Sequence, residues 1–367
     1  MKLGMVLFRT DASMSIGSGH VMRCLTLAKT LRTRGVECAF LSRSHPGNLN
    51  EFVRNQGFRV HELCLDKRWT DDSDSHYANW LGASWAQDAE QTLAVISQNP
   101  CDILVVDHYA LDARWEKRLS GACRYLLAID DLANRSHHCA ALLDQNLGRQ
   151  AKDYASLLPS EAQFMIGPQY ALLRPDFPQF RKRSLARRQS PALHQILISM
   201  GGVDLPNVTS QVIQCLEQSL LPRDCHIDVV MGATAPWLGK VNAVAATSSF
   251  SVQIHINVSQ MAELLCKSDL SIGAAGSTAW ERCCLGLPCL MLVLAENQQG
   301  ISEALDLAGA ARNLGSALGP KMSICLRQSI DQFVRFPELL REMSEQAQKV
   351  TDGLGAHRVA DQLLGVL

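Results

Sequence analysis

One histidine stands where the chain could bind an anion and move a proton. Arg9-Thr10-Asp11-Ala12-Ser13 runs into Gly17-Ser18-Gly19-His20-Val21-Met22-Arg23, a glycine-bracketed loop between an apolar strand and an amphipathic helix. Glycines let the backbone turn tightly and approach a ligand, and the free N–H groups of the helix that follows favour an anion. The same helix end disfavours imidazolium, so His20 reads as a neutral base able to take a proton from water or a hydroxyl. Strand, glycine turn and helix also open any parallel α/β domain, and His20 as filler of the first helical turn accounts for the spacing equally well. The dinucleotide fingerprint is absent. Met22 stands where its third glycine belongs, and no acidic residue ends the second strand, which disfavours a nicotinamide enzyme.

The elements that must hold this loop follow from short apolar runs alternating with helical patterns. Residues 5–8, 36–41, 103–107 and 125–130 read as strands, and Val21, Cys24, Leu25, Ala28 and Leu31 put one apolar face on the first helix. A second series gives strands at 195–200, 227–231, 250–254, 270–273 and 289–294. The alternation predicts two parallel sheets, each covered by helices on both faces. The expected architecture is α/β, two Rossmann-like domains facing a central cleft. The first spans residues 1–174. Arg174-Pro175-Asp176-Phe177-Pro178 and a basic tract ending at Pro191 predict a solvated linker over 175–193, since prolines exclude a regular helix there. A second domain over 194–345 and a C-terminal helix over 346–367 complete the chain.

The 367 residues, 47% of them apolar, suffice for two cores. No apolar run approaches a membrane span, and the first strand begins without a separate leader, so the expected location is the cytoplasm. Thirteen cysteines without a Cys-x-x-Cys spacing fit reduced core thiols better than disulfides or a zinc site. A net charge of −1 agrees with a small-molecule ligand and gives no sign of a nucleic-acid surface.

The second half repeats the design of the first. Ser271-Ile272-Gly273-Ala274-Ala275-Gly276-Ser277-Thr278-Ala279-Trp280-Glu281 reads as strand, small-residue loop and helix. Gly276, Ser277 and Thr278 can present donors to a diphosphate, and Glu281 can accept from the paired hydroxyls of a ribose. Thr278 and Glu281 also have the spacing of a capping box, in which both side chains serve only the helix end. Ser199-Met200-Gly201-Gly202-Val203-Asp204 is a third such turn, suited to phosphate or to a plain turn. Asp107-His108-Tyr109 and Asp130-Asp131 end apolar runs and place acids, an imidazole and a phenol at strand ends. Asp72-Ser73-Asp74 reads as a surface loop, and His137-His138-Cys139 lacks a partner motif, so no metal is expected.

Taken with Ile166-Gly167-Pro168-Gln169-Tyr170-Ala171-Leu172-Leu173-Arg174, these segments, in their order and spacing from residue 5 to about residue 300, resemble the UDP-sugar hydrolases of pseudaminic acid biosynthesis. The resemblance implies a glycosyltransferase-B type fold and hydrolysis of UDP-2,4-diacetamido-2,4,6-trideoxy-β-L-altropyranose to UDP and the free sugar. That step belongs to the making of a nonulosonic acid for flagellin or surface glycans. It implies His20 as base, with Asp11, Gly17, Gly19, Tyr109 and Asn297 on the sugar side. Gly201, Gly202, Gly276, Ser277, Thr278 and Glu281 inherit nucleotide roles, with Ile166 and Gly167 beside the uracil. No cofactor is implied, and the partners are a UDP-sugar, no nucleic acid and no stable membrane. A glycosyltransferase of the same fold using a UDP-sugar donor is the alternative, and a non-catalytic nucleotide-sugar binder is a third.

Overall fold

The structure, a computed structural model, describes residues 4–66 and 77–367. The segment Asp72-Ser73-Asp74 lies outside the described residues. The chain divides into two compact units, one of residues 1–173 with 354–367 and one of residues 174–353.

The first unit is built on seven strands: β1 (Met5–Thr10), β2 (Glu37–Arg43), β3 (Arg59–Leu63), β4 (Ile103–Asp107), β5 (Tyr125–Ile129), β6 (Ala141–Asp144) and β7 (Gln163–Ile166). They pair in the order β3-β2-β1-β4-β5-β6-β7, and every pair is parallel. Successive residues of a strand face opposite ways, so a sheet covered on both sides needs both sets apolar. Val6 and Phe8 pack on one face with the Gly19–Thr33 helix and with Ala356, Val359, Ala360 and Leu363 of the last helix, while Leu7 packs on the other with Leu104, Val106 and Trp115.

The second unit repeats the plan with six strands: β8 (Gln195–Ser199), β9 (His226–Met231), β10 (Ser251–Ile256), β11 (Leu270–Ala274), β12 (Cys289–Val293) and β13 (Arg312–Ser316). Their order is β10-β9-β8-β11-β12-β13, again all parallel. In both sheets the strand order reverses at one point, between β1 and β4 and between β8 and β11. Loops leaving the carboxyl ends of the strands diverge there and open a crevice for a ligand. His20 follows β1, and Asp107 ends β4. The turn at Gly201-Gly202 follows β8, and the loop at Gly276-Ser277 follows β11. Four of the segments singled out for chemistry therefore fall in pairs at the two reversal points.

The segment expected as an irregular linker contains a helix, Asp176–Arg187. Pro175 is its N-cap and Pro178 lies in its first turn, where backbone N–H groups have no intrahelical acceptor and proline costs little. The last helix, Gly355–Leu364, returns to the first unit, and Gly355 makes that possible: a Cβ there would lie 2.3 Å from the Ala171 carbonyl oxygen. Gly355→Ala should lower stability by about 1–3 kcal/mol in urea unfolding, because the clash is with backbone and cannot relax by a rotamer change.

Candidate active site

Asp107 is the centre of the first reversal point. Its carboxylate is fully buried and takes four hydrogen bonds: from Arg23 Nε to Oδ2 at 2.6 Å, from Arg23 Nη2 to Oδ1 at 2.7 Å, from His20 Nδ1 to Oδ1 at 2.6 Å, and a longer one from Cys24 Sγ to Oδ2 at 3.5 Å. Burial alone would raise this carboxyl; Arg23 and His20 outweigh it and hold it far below the usual carboxylate range. An ionised Asp107 only accepts, so the short contact puts the proton on Nδ1 of His20, although Arg23 Nη2 also lies 3.3 Å from that atom. With Nδ1 committed, Nε2 carries the lone pair in neutral His20, and it bonds to no described residue. His20 and Arg23 stand three residues apart at the start of one helix, so both reach the same carboxylate.

The second ring of contacts is aromatic and acidic. Tyr109 meets the His20 ring edge-on at 4.6 Å, Trp80 stacks on Tyr109 at 5.8 Å, and Tyr77 packs against both. The Tyr109 hydroxyl donates to Asp131 Oδ2 at 2.8 Å, and Arg23 Nη1 donates to the same atom at 2.6 Å. Burial first, then the charge of Asp131, pushes the Tyr109 phenol well above its ordinary value, so it remains a donor.

Asp11, expected to touch substrate, does not reach the surface. Its Oδ1 accepts from Arg9 at 2.7 Å and from the Arg43 amide at 2.7 Å, which ties the end of β1 to β2. Asp88 completes the network with Arg9, Arg43 and Trp115 Nε1. Asp11 thus fixes the loop from behind. His108 points toward it: Nδ1 accepts from the Ala110 amide at 3.1 Å, leaving Nε2–H 3.4 Å from Asp11 Oδ2. Gly17 has φ +78° and its amide donates to the Ser13 carbonyl, closing the hairpin that brings Gly19 and His20 to the helix start.

At the second reversal point the capping box does not form. Thr278 is already the first helical residue, and Ser277, at the N-cap, makes no side-chain cap bond. Among the described residues the amides of Gly276, Ser277 and Thr278 donate to no protein acceptor. The Glu281 carboxyl is pushed up to about 7 by burial, against the pull of Arg174 and Arg282. The other loop is partly spoken for, since Asp204 accepts from the amides of Val208 and Thr209, both at 2.9 Å, and so fills the start of the Val208–Leu216 helix with its own carboxylate. Gly201 and Gly202 remain open, with no atom within 4 Å of an added Cβ.

Three expected residues fall elsewhere. Ile166 and Gly167 end β7, the edge strand of the first sheet, with β4, β5 and β6 between them and β1; they belong to a different unit from the other expected nucleotide residues. Asn297, expected on the sugar side, is exposed on the short Glu296–Gln298 turn of the second unit, where its neighbour Gln298 comes within 3.9 Å of the Cβ position of Gly276. His137, in the motif considered for metal, is buried with Nδ1 2.7 Å from Glu116 Oε1. Asp131 is expected only as a strand-end acid; Arg23 and Trp80 are not singled out by the sequence, and of these two Arg23 carries a signal, its spacing from His20.

The chain is similar to known proteins along most of its length. It is 26% identical over 306 residues to the UDP-2,4-diacetamido-2,4,6-trideoxy-β-L-altropyranose hydrolase of Campylobacter jejuni, a match covering 83% of this chain and 97% of that protein. It is 27% identical over 304 residues to an uncharacterized protein of Methanocaldococcus jannaschii, covering 82% of this chain but only 57% of that longer protein. Among solved structures, MurG of Acinetobacter baumannii superposes with a TM-score of 0.71 at 16% identity, over 99% of this chain and 100% of that one. The fold is that of the glycosyltransferase-B enzymes. No protein-family profile matches the chain, and no helix among the described residues is long and apolar enough to cross a membrane.

Glu281 gives a test with a defined sign. Its folded value is raised, so ionising it costs stability as pH climbs from its ordinary 4.5 toward about 7. Glu281→Gln removes that cost: its melting temperature should exceed wild type by a few degrees at pH 8 and match it near pH 4, below the ordinary value. Equal melting temperatures at both pH values would mean the carboxyl is not desolvated.

Proposed function

We propose that the protein is an enzyme acting on a UDP-sugar, and that it hydrolyses UDP-2,4-diacetamido-2,4,6-trideoxy-β-L-altropyranose to UDP and the free sugar by attack of a His20-activated water at the anomeric carbon. The substrate rests on the similarity to the Campylobacter hydrolase. The observation that carries the chemistry is the His20–Asp107 pair, in which a buried, ionised carboxylate fixes the tautomer that leaves Nε2 free to accept a proton. A protein that only held nucleotide sugars has no use for this arrangement.

The step divides simply. Nε2 of His20 takes a proton from water as the water oxygen bonds to C1 of the sugar. Asp107 stabilises the imidazolium that forms, the role a buried aspartate plays beside a histidine base. The C1–O bond to the diphosphate breaks with its electrons leaving on UDP, a good leaving group, so donors to the departing diphosphate matter more than a strong general acid. Gly276, Ser277 and Thr278 have free backbone donors for that charge, and Gly201 and Gly202 let a phosphate come close. Attack opposite the leaving diphosphate inverts the anomeric configuration. Tyr109, Trp80 and Tyr77 give the histidine an apolar flank suited to deoxy and acetamido-methyl groups. Asp11 holds the loop in place, and the protein works in the cytoplasm, where nucleotide sugars are made.

His20→Asn should lower kcat by roughly 10²- to 10⁴-fold, the worth of a general base, and leave UDP affinity within about twofold of wild type. Steady-state kinetics on the diacetamido UDP-sugar, with UDP titration in parallel, checks both. Unchanged turnover would remove His20 from the mechanism.

A further inference from the structure

Arg282 is buried with no ion-pair partner among the described residues. It lies in the Thr278–Cys284 helix, 3% exposed, with Nη2 donating to the Ala274 carbonyl at 2.7 Å. Nε has no partner, and no described carboxylate forms an ion pair with the guanidinium. Glu281, the adjacent residue in the chain, is half-buried and makes no ion pair with it. A guanidinium removed from water and left unpaired is costly, and such groups are normally matched by a carboxylate. In the first unit every buried arginine of the core is matched by carboxylates: Arg9 faces Asp11 and Asp88, Arg23 faces Asp107 and Asp131, and Arg43 faces Asp88. In the second, buried Arg188 has no carboxylate but is met by the Ser184, Leu265 and Ser268 carbonyls and the Ser184 hydroxyl, whereas Arg282 donates to the Ala274 carbonyl alone among the described residues.

The place of Arg282 narrows what the missing charge is. An added Cβ at Gly273 would lie 2.6 Å from Arg282 Nη1 and 2.8 Å from the Ser199 carbonyl oxygen. The guanidinium therefore crosses the ends of β11 and β8, beneath the two loops with open backbone, Gly201-Gly202 and Gly276-Ser277. Glycine at 273 is what lets it lie there.

We propose that Arg282 is a positioning residue of the nucleotide site: it lies below the loop that follows β11, bonded to the Ala274 carbonyl, and its unpaired charge is matched by the diphosphate of the bound nucleotide. This rests on the reading of the second unit as the nucleotide-binding one. A cation buried under a site in low dielectric acts on an anion more strongly than an exposed one and is screened less by salt. The uracil and ribose, being uncharged, gain nothing from it.

UDP, UMP and uridine titrated into wild type, Arg282→Lys and Arg282→Met by calorimetry, with melting curves of each protein, provide the test. UDP affinity should fall roughly 10- to 100-fold in Arg282→Met, the scale of a lost charge-assisted contact, with UMP falling less and uridine unchanged. Arg282→Lys keeps the charge and should retain most of the UDP affinity. Without nucleotide, Arg282→Met should melt no lower than wild type, since it removes an unpaired buried charge. Equal losses for UDP and uridine, with a lowered melting temperature, would make Arg282 a packing residue and overturn the proposal alone. Wild type that fails to bind UDP would overturn the nucleotide reading and the proposal with it.

Discussion

The Asp107 carboxylate is the point on which the polar core of the first unit turns. A buried carboxylate is expensive, and here Arg23 and His20 meet the expense through three short hydrogen bonds. Each partner is thereby fixed. Arg23 is held where its other arm reaches Asp131, which takes the Tyr109 hydroxyl, which sets the ring that packs on His20. One charge pair thus orients His20, its tautomer and its aromatic flank. The sheet makes this possible because β4 ends at Asp107 beside β1, whose loop delivers the helix bearing His20 and Arg23.

The two units share a strand plan and differ in charge. At the first reversal point the buried cations and carboxylates answer one another, which gives a rigid, self-contained polar core. At the second, Arg282 has no carboxylate, the loops above it are rich in small residues, and the backbone donors of Gly276 to Thr278 are unfilled. The first holds His20 in one tautomer, and the second leaves backbone donors and a buried guanidinium without acceptors of opposite charge.

Much of this was legible in the sequence, for physical reasons that differ by element. The central strands are continuous apolar runs, so residues 103–107 were read to their true ends, and residues 195–200 and 270–273 nearly so. Strands β3, β7 and β13 escaped because edge strands are half exposed and carry polar residues, as in Arg59–Leu63 and Arg312–Ser316. The short β6, only four residues, gave too little pattern to register. Glycine spacing marked the His20 loop, but nothing local could distinguish Asp107 as partner of His20 from a strand-end cap, since the two are 87 residues apart. Asp11 misled because a polar residue next to a ligand loop has the same local pattern whether it faces the ligand or braces the loop. Arg282 was invisible because its significance is the absence of a partner, a property of the fold alone.

The central claim is attack by water at the anomeric carbon, and the fate of the water oxygen decides it. The protein, incubated with the diacetamido UDP-sugar in ¹⁸O-labelled water with chelator present, should release UDP at an undiminished rate and carry the label in the free sugar, as mass spectrometry would show. Label in the nucleotide would mean attack at phosphorus, and no release without an added acceptor would mean a transferase or a binder; either result contradicts the mechanism built on His20.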